Sequence, residues 1–315
     1  MVALARYVGH HPLMRHENHR RLSSAFSLSG RGIHTGSPGR VMVTPGEPGA
    51  GLRLFRAEDG SGGQVSSLMH SGSGRCTTVF TQSGLRAMTV EHAFAAFAAT
   101  GLDDVDVWLL GDEMPILDGS AAPWVEKIVE AGTAPCEPGP TLEVVREFAF
   151  SCDAASYEAS PCPRGFQATV AVDYPDPVGR QSWTLDGYAS LLDAVPSRTF
   201  AFVSDVGEMA RAGLAAGGSL ANALVIGNSG PLNPGGWRMA NECAAHKAVD
   251  FVGDLMLAGR RVRGRFSVHR PGHGPNGRFL AAMLRDGVLQ PVPARGESPQ
   301  SPNTFLATNA FRTSA

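Results

Sequence analysis

The segment Pro135-Cys136-Glu137-Pro138-Gly139-Pro140 constrains this chain more than any other. Proline lacks an amide donor and fixes φ, so prolines flanking a glycine continue neither a helix nor a central strand. The segment reads as a linker. It divides the 315 residues into a first half, 25–137, and a second half, 138–287. A chain of this length holds about two domains.

Both halves mix the two element types. In the first, apolar patterning predicts strands at 41–43, 52–55, 76–80 and 105–110, with helices over 89–100 and 120–131. Thr89 is the expected cap of the earlier helix and Gly101 its stop. In the second, strands are expected at 142–150, 166–172, 180–185, 198–203, 221–226 and 262–268. Helices are expected at 188–195, 206–212, 240–258 and 278–285, with Gly259 ending the long one. There is no steady βαβ alternation, which points to α+β layers and away from a doubly wound sheet. Ser27–Gly36 reads as a glycine-bounded turn, and 56–74 and 269–277 as loops. Residues 1–24 form a loose leader or a first edge strand, and the chain from about 288 reads as a poorly ordered tail.

Hydrophobic residues make up 43% and charged residues 18%, the balance of a globular chain. A net charge of −2 leaves no basic excess for nucleic acid. No apolar run approaches the ~18–20 residues that span a bilayer, and the leader lacks a signal core, so the cytoplasm is the expected compartment. Five cysteines without a CxxC pair fit a reducing compartment, with a Cys152–Cys162 bridge the weaker reading. A monomer is the default.

The chemistry concentrates in His246-Lys247-Ala248-Val249-Asp250-Phe251-Val252-Gly253-Asp254. In a helix, His246, Asp250 and Asp254 fall on one face, one turn apart. An imidazole and a carboxylate so spaced can hold a divalent metal, and the mix suits zinc. It is equally an ordinary helical contact, with Asp254 a further ligand or a partner that orients an imidazole. Glu91-His92 would set a base beside a ligand at a helix start. Position 96 is Ala, however, so spacing alone favours a structural histidine. His273 lies between glycines, where functional and merely exposed histidines are both common. His10, His11, His16, His19 and His70 read as surface. There is no P-loop and no GxSxG.

Several segments occur in a telling order: Gly32-Ile33-His34-Thr35-Gly36, Thr89-Val90-Glu91-His92, Met114 to Pro123, Ser197-Arg198-Thr199-Phe200, Gly217-Gly218-Ser219, His246 to Leu255 and Gly272-His273. Together they resemble the UDP-3-O-acyl-N-acetylglucosamine deacetylase family, zinc enzymes of the committed step in lipid A synthesis. The resemblance covers roughly residues 25 to 285. It implies two similar α+β domains whose helices pack together between two sheets. It implies that His92, His246 and Asp250 are the zinc ligands, with ferrous iron tolerated by the same donors. Glu91 resembles the general base, His273 the second catalytic group and Asp254 its carboxylate partner. Thr199 and Lys247 resemble the groups near the oxyanion. Phe200, Gly218, Ser219 and Lys247 resemble substrate contacts, and about 205–226 the acyl-chain insert. The implied partner is UDP-3-O-acyl-N-acetylglucosamine. The rival reading, a non-catalytic binder of sugar nucleotide or acyl lipid, leaves Glu91 and His273 without a role.

Overall fold

The structure, a computed structural model, describes residues 19–292 apart from 68, 72–74, 82, 83 and 138. The chain begins with β1 (Arg20–Leu22), β2 (Phe26–Arg31), β3 (Pro38–Pro45), β4 (Leu52–Arg56) and β5 (Gly62–Gln64). Next come β6 (Met69–Ser71), β7 (Thr78–Phe80), β8 (Arg86–Met88), α1 (Glu91–Ala99), β9 (Val105–Leu110), α2 (Ala122–Ala131) and β10 (Thr133–Pro135). Five strands form one sheet in the order β2-β3-β9-β4-β5, and β7 lies between β6 and β8 in a small separate sheet. Alternation places Val41 and Val43 of β3 fully inside while Met42 is 45% exposed.

Beyond the linker follow β11 (Thr141–Val144), β12 (Phe148–Cys152), β13 (Ala155–Ser160), β14 (Phe166–Asp173), β15 (Arg180–Asp186), a 3₁₀ turn at Tyr188–Asp193 and β16 (Phe200–Phe202). The rest is α3 (Val203–Arg211), β17 (Leu224–Gly227), β18 (Gly230–Pro231), α4 (Glu242–Leu255), β19 (Val262–His269), α5 (His273–Arg285) and β20 (Leu289–Val292). β19 is the spine of the second sheet, pairing with β11 and β14 in parallel and with β13 antiparallel. The architecture is α+β. All five cysteines are free thiols.

Two helices meet in the middle. Every residue of α1 is buried, as is every residue of α4 except Lys247. A helix apolar all round belongs between layers, yet these two also carry Glu91, His92, His246, Asp250 and Asp254. Gly253 sets how close they come. A Cβ built there would lie 2.1 Å from the Glu91 carbonyl oxygen and 2.9 Å from its Cα. A second tie lies beyond the helix ends. Arg261 donates from Nε and Nη2 to Asp103 at 3.0 and 2.8 Å, and its amide adds a third bond.

The structure corrects the sequence reading at several places. Ser27–Gly36 is a turn only from residue 32; before that its alternating burial and antiparallel pairing with β3 make it β2. The loop 56–74 contains β5 and β6, which pair antiparallel with β4 and β7. Thr89 does not cap α1: its φ is +58°, and its hydroxyl donates to Glu113 instead. The strand foreseen at 142–150 is two, β11 and β12, and β13 was missed. The loop 269–277 ends early, since α5 opens at His273. The tail holds β20, antiparallel to β11, whose cross-strand bonds outweigh its Pro291. Of the leader, Arg20–Leu22 is the edge strand β1, paired with β10; residues 1–18, with His10, His11 and His16, and the tail past 292 lie outside the described residues. His19 is not a solvated surface histidine, for its Nδ1 lies 2.7 Å from Asp103. Nor is His70: it is half-buried, and a Cβ on Gly277 would touch its ring at 3.3 Å.

Two expectations follow. Gly253→Ala forces α1 and α4 apart and destabilises the fold by about 1–3 kcal/mol, the usual cost of overpacking, read from denaturant unfolding. Asp103 is buried, which alone would raise its pKa, but Arg261 and His19 hold it well below the usual carboxylate range. Its stabilisation is therefore present above the unfolded value of 3.8 and fades as pH falls below it. Asp103→Asn should cost about 3–5 kcal/mol at pH 7, as for a broken buried pair. That gap from the wild-type protein should shrink as acid unfolding is followed below pH 3.8.

Candidate metal centre

The α1–α4 crossing brings together residues far apart in sequence. His92 sits in the first turn of α1, while His246 and Asp250 are one turn apart on α4. One ligand atom from each lies within 4.8 Å of the other two. Nε2 of His246 is 3.3 Å and Nε2 of His92 3.7 Å from Asp250 Oδ1. All three side chains are at least nine-tenths buried.

The protonation pattern suits a cation. His246 Nδ1 lies 3.2 Å from the Ser197 carbonyl. A carbonyl only accepts, so Nδ1 carries the proton and Nε2 presents a lone pair. Burial drives the His246 pKa down to about 3 and lowers that of His92. Burial opposes the Asp250 charge, but His246, Lys247, His273 and His92 hold it far below the ordinary carboxylate range. Asp250 Oδ1 nevertheless has no hydrogen-bond donor among the described residues. A buried, unpaired carboxylate oxygen facing the Nε2 atoms of two imidazoles is unfavourable alone and is resolved by a divalent metal. The donor set fits.

Lys247, Phe200, Glu91, His273 and Asp254 stand around this trio. Lys247 donates to Asp250 Oδ2 at 2.7 Å and lies 5.6 Å from the centre of the Phe200 ring. Burial works against its charge, but Asp250 more than restores it and raises its pKa. The Phe200 ring also meets His246 edge-on at 6.1 Å. Thr199, half-buried, follows Ser197 and enters β16 with its amide donating to Gly119 O at 2.7 Å. Nε2 of His273 is 3.7 Å from both Glu91 Oε1 and Asp250 Oδ2, and its Nδ1 is 3.2 Å from Asp254 Oδ2. Asp254 is thus outside the donor trio. Burial raises the Glu91 carboxyl to about 8; His273 pulls the other way, while Asp254 and Asp250 add to the rise. Burial alone would discharge His273, but Asp254, Glu91 and Asp250 bring it up to about 9. The imidazolium is the form these three carboxyl groups favour.

Gly218 and Ser219 stand apart from this cluster. They lie in an exposed loop whose bonds run to Ala215 and Asn222. That loop docks on the 32–36 turn, where the Ala216 and Gly217 amides donate to His34 O and Ile33 O. The turn is pinned by buried Glu113, which accepts from the His34 amide and from the Thr35 amide and hydroxyl. Sequence reading missed Glu113, and also Thr77 and Asn276, which both reach Asp254. Glu113 follows Asp112, Thr77 precedes Thr78 and Asn276 lies among glycines, so no local pattern singles any of them out; their partners are distant in sequence.

The sequence model of the UDP-3-O-acyl N-acetylglycosamine deacetylase (LpxC) family matches residues 19–285. The chain belongs to this family. Curated relatives named UDP-3-O-acyl-N-acetylglucosamine deacetylase cover nearly its whole length. The Myxococcus xanthus protein is 35% identical over 283 residues, 88% of this chain and 90% of the relative. That of Syntrophotalea carbinolica is 34% identical over 284 residues, covering 88% and 91%. That of Haemophilus influenzae is 28% identical over 297 residues, covering 91% and 97%. Among the described residues no helix is long and apolar enough to cross a membrane.

Proposed function

We propose that this chain is a zinc-dependent amide hydrolase that removes acetate from UDP-3-O-acyl-N-acetylglucosamine in lipid A biosynthesis. One observation carries the reading: a buried three-donor cluster stands directly beside a carboxyl group and an imidazolium. His92, His246 and Asp250 would hold the metal. A bound zinc polarises the amide carbonyl and lowers the pKa of water toward about 7; ferrous iron suits the same donors.

The protein's own groups then divide the proton work. With a divalent ion held by His92, His246 and Asp250, the Glu91 carboxyl would be drawn back toward the ionised form that a base requires. Glu91 takes the proton of the attacking water at Oε1, the oxygen facing His273. An amine cannot leave as an anion, so His273, kept charged by Asp254, supplies its proton through Nε2. Thr199 and Lys247 stabilise the developing oxyanion. Phe200, Gly218, Ser219 and Lys247 contact the substrate. The insert 205–226 takes the acyl chain, a reading supported by Val206 and Leu220, which are 43% and 48% exposed. The same reading makes 25–137 and 138–287 two similar domains with the site between them, in a cytoplasmic monomer.

The test is deacetylation of UDP-3-O-acyl-N-acetylglucosamine by the purified protein. No turnover there, with turnover on another amide, would sink the substrate assignment. Zinc should raise the Tm of the metal-stripped wild-type protein and leave Asp250→Ala unmoved, since only a protein that binds gains stability from a ligand. Glu91→Ala and His273→Ala should each keep metal and lose about 10²–10⁴ of kcat. Thr199→Ala should slow the chemistry with metal retained. A Glu91→Ala protein that hydrolyses at the wild-type rate removes Glu91 from the base role.

A further inference from the structure

Thr77 is buried immediately before β7. Its amide and its hydroxyl reach both sides of the proton machinery. The backbone N–H donates to Glu91 Oε2 at 3.2 Å. The hydroxyl donates to Asp254 Oδ1 and lies 3.3 Å from His273 Nδ1. The other Asp254 oxygen, Oδ2, receives Asn276 Nδ2 at 2.8 Å and faces His273 Nδ1 at 3.2 Å. Asn276 is itself fixed from behind, accepting from the Tyr157 hydroxyl at 2.7 Å.

The donor count orders these contacts. Asp254 Oδ1 is a carboxylate oxygen and only accepts, so the single Thr77 proton goes there. The Thr77 oxygen then turns a lone pair toward His273 Nδ1. That nitrogen donates to Asp254 Oδ2 with the Thr77 oxygen as a second acceptor, and Nε2 is left directed at Glu91 and Asp250. A carboxylate held through one oxygen still turns about its broad terminal torsion. Anchors on both oxygens stop that rotation and with it the swing of the imidazole.

We infer that Thr77 is a positioning residue that locks the Asp254–His273 pair and aims His273 Nε2 at the reacting centre. The inference rests on the deacetylase reading above. Thr77 touches neither the donor trio nor the reacting atoms; it acts through Asp254 and His273.

Thr77→Val removes the hydroxyl and keeps both the shape and the amide bond to Glu91. Lost positioning should lower kcat by about 10–100-fold, with KM, Tm and bound metal close to wild type. Thr77→Ser restores the hydroxyl and should restore most of kcat. In a His273→Ala background Thr77→Val should have no further effect, because both changes remove one device. Three results overturn the inference: Thr77→Val with unchanged kcat, an equal fall in both His273 backgrounds, or a fall that tracks loss of metal or of Tm. A wild-type protein inert toward the acylated UDP-sugar overturns the functional reading itself. Wild-type turnover with an unaffected Thr77→Val protein overturns the role of Thr77 alone.

Discussion

Everything at the site depends on how closely two helices cross. At Gly253 the backbone of α4 comes so near Glu91 that a Cβ would sit 2.1 Å from its carbonyl oxygen. Any other residue there widens the gap. The gap decides whether His92, carried by α1, falls within bonding range of a metal shared with His246 and Asp250. It also decides whether Glu91 faces His273, whose helix packs beside α4. The precision of the centre is thus a backbone property, fixed by a side chain that is missing.

The second constraint is electrostatic. Three carboxyl groups, three imidazoles and one ammonium share a buried volume where unpaired charge is costly. They are arranged as two linked sets. Asp250 gathers the donor trio and Lys247, and Asp254 gathers Thr77, Asn276 and His273. One set keeps its imidazoles neutral and the other keeps its imidazole charged, although the rings lie close together. Burial alone would discharge all three rings. The difference comes from which carboxylates each ring faces.

Local signals made much of this legible. The i, i+4, i+8 spacing of His246, Asp250 and Asp254 specified one helical face, and the alternation at 41–43 specified a strand. Glu91-His92 was ambiguous, because its partners lie on another helix and only the register of the crossing unites them. His273 reads as a loop residue because its segment holds three glycines, Gly272, Gly274 and Gly277, which disfavour helix. The helix forms there because Asp254, Thr77 and the Gly272–Asn276 backbone bond hold its first turn. Thr77 left no trace in the sequence: its neighbours report only a short β-prone run, and its role lies in three long-range contacts.

The scattered origin of these groups sets an order of assembly. Glu91 and His92 are made early, α4 long after them, and His273 and Asn276 later still. A nascent chain that has not yet emerged as far as α4 offers one donor of the trio and has no grip on a metal. Long-range contacts of this kind form late in folding, and metal affinity gained only on their completion becomes part of the folding free energy. Metal uptake would then report a finished molecule, and a chain stalled or cut before α4 would neither hold the ion nor expose a half-built catalytic centre to it.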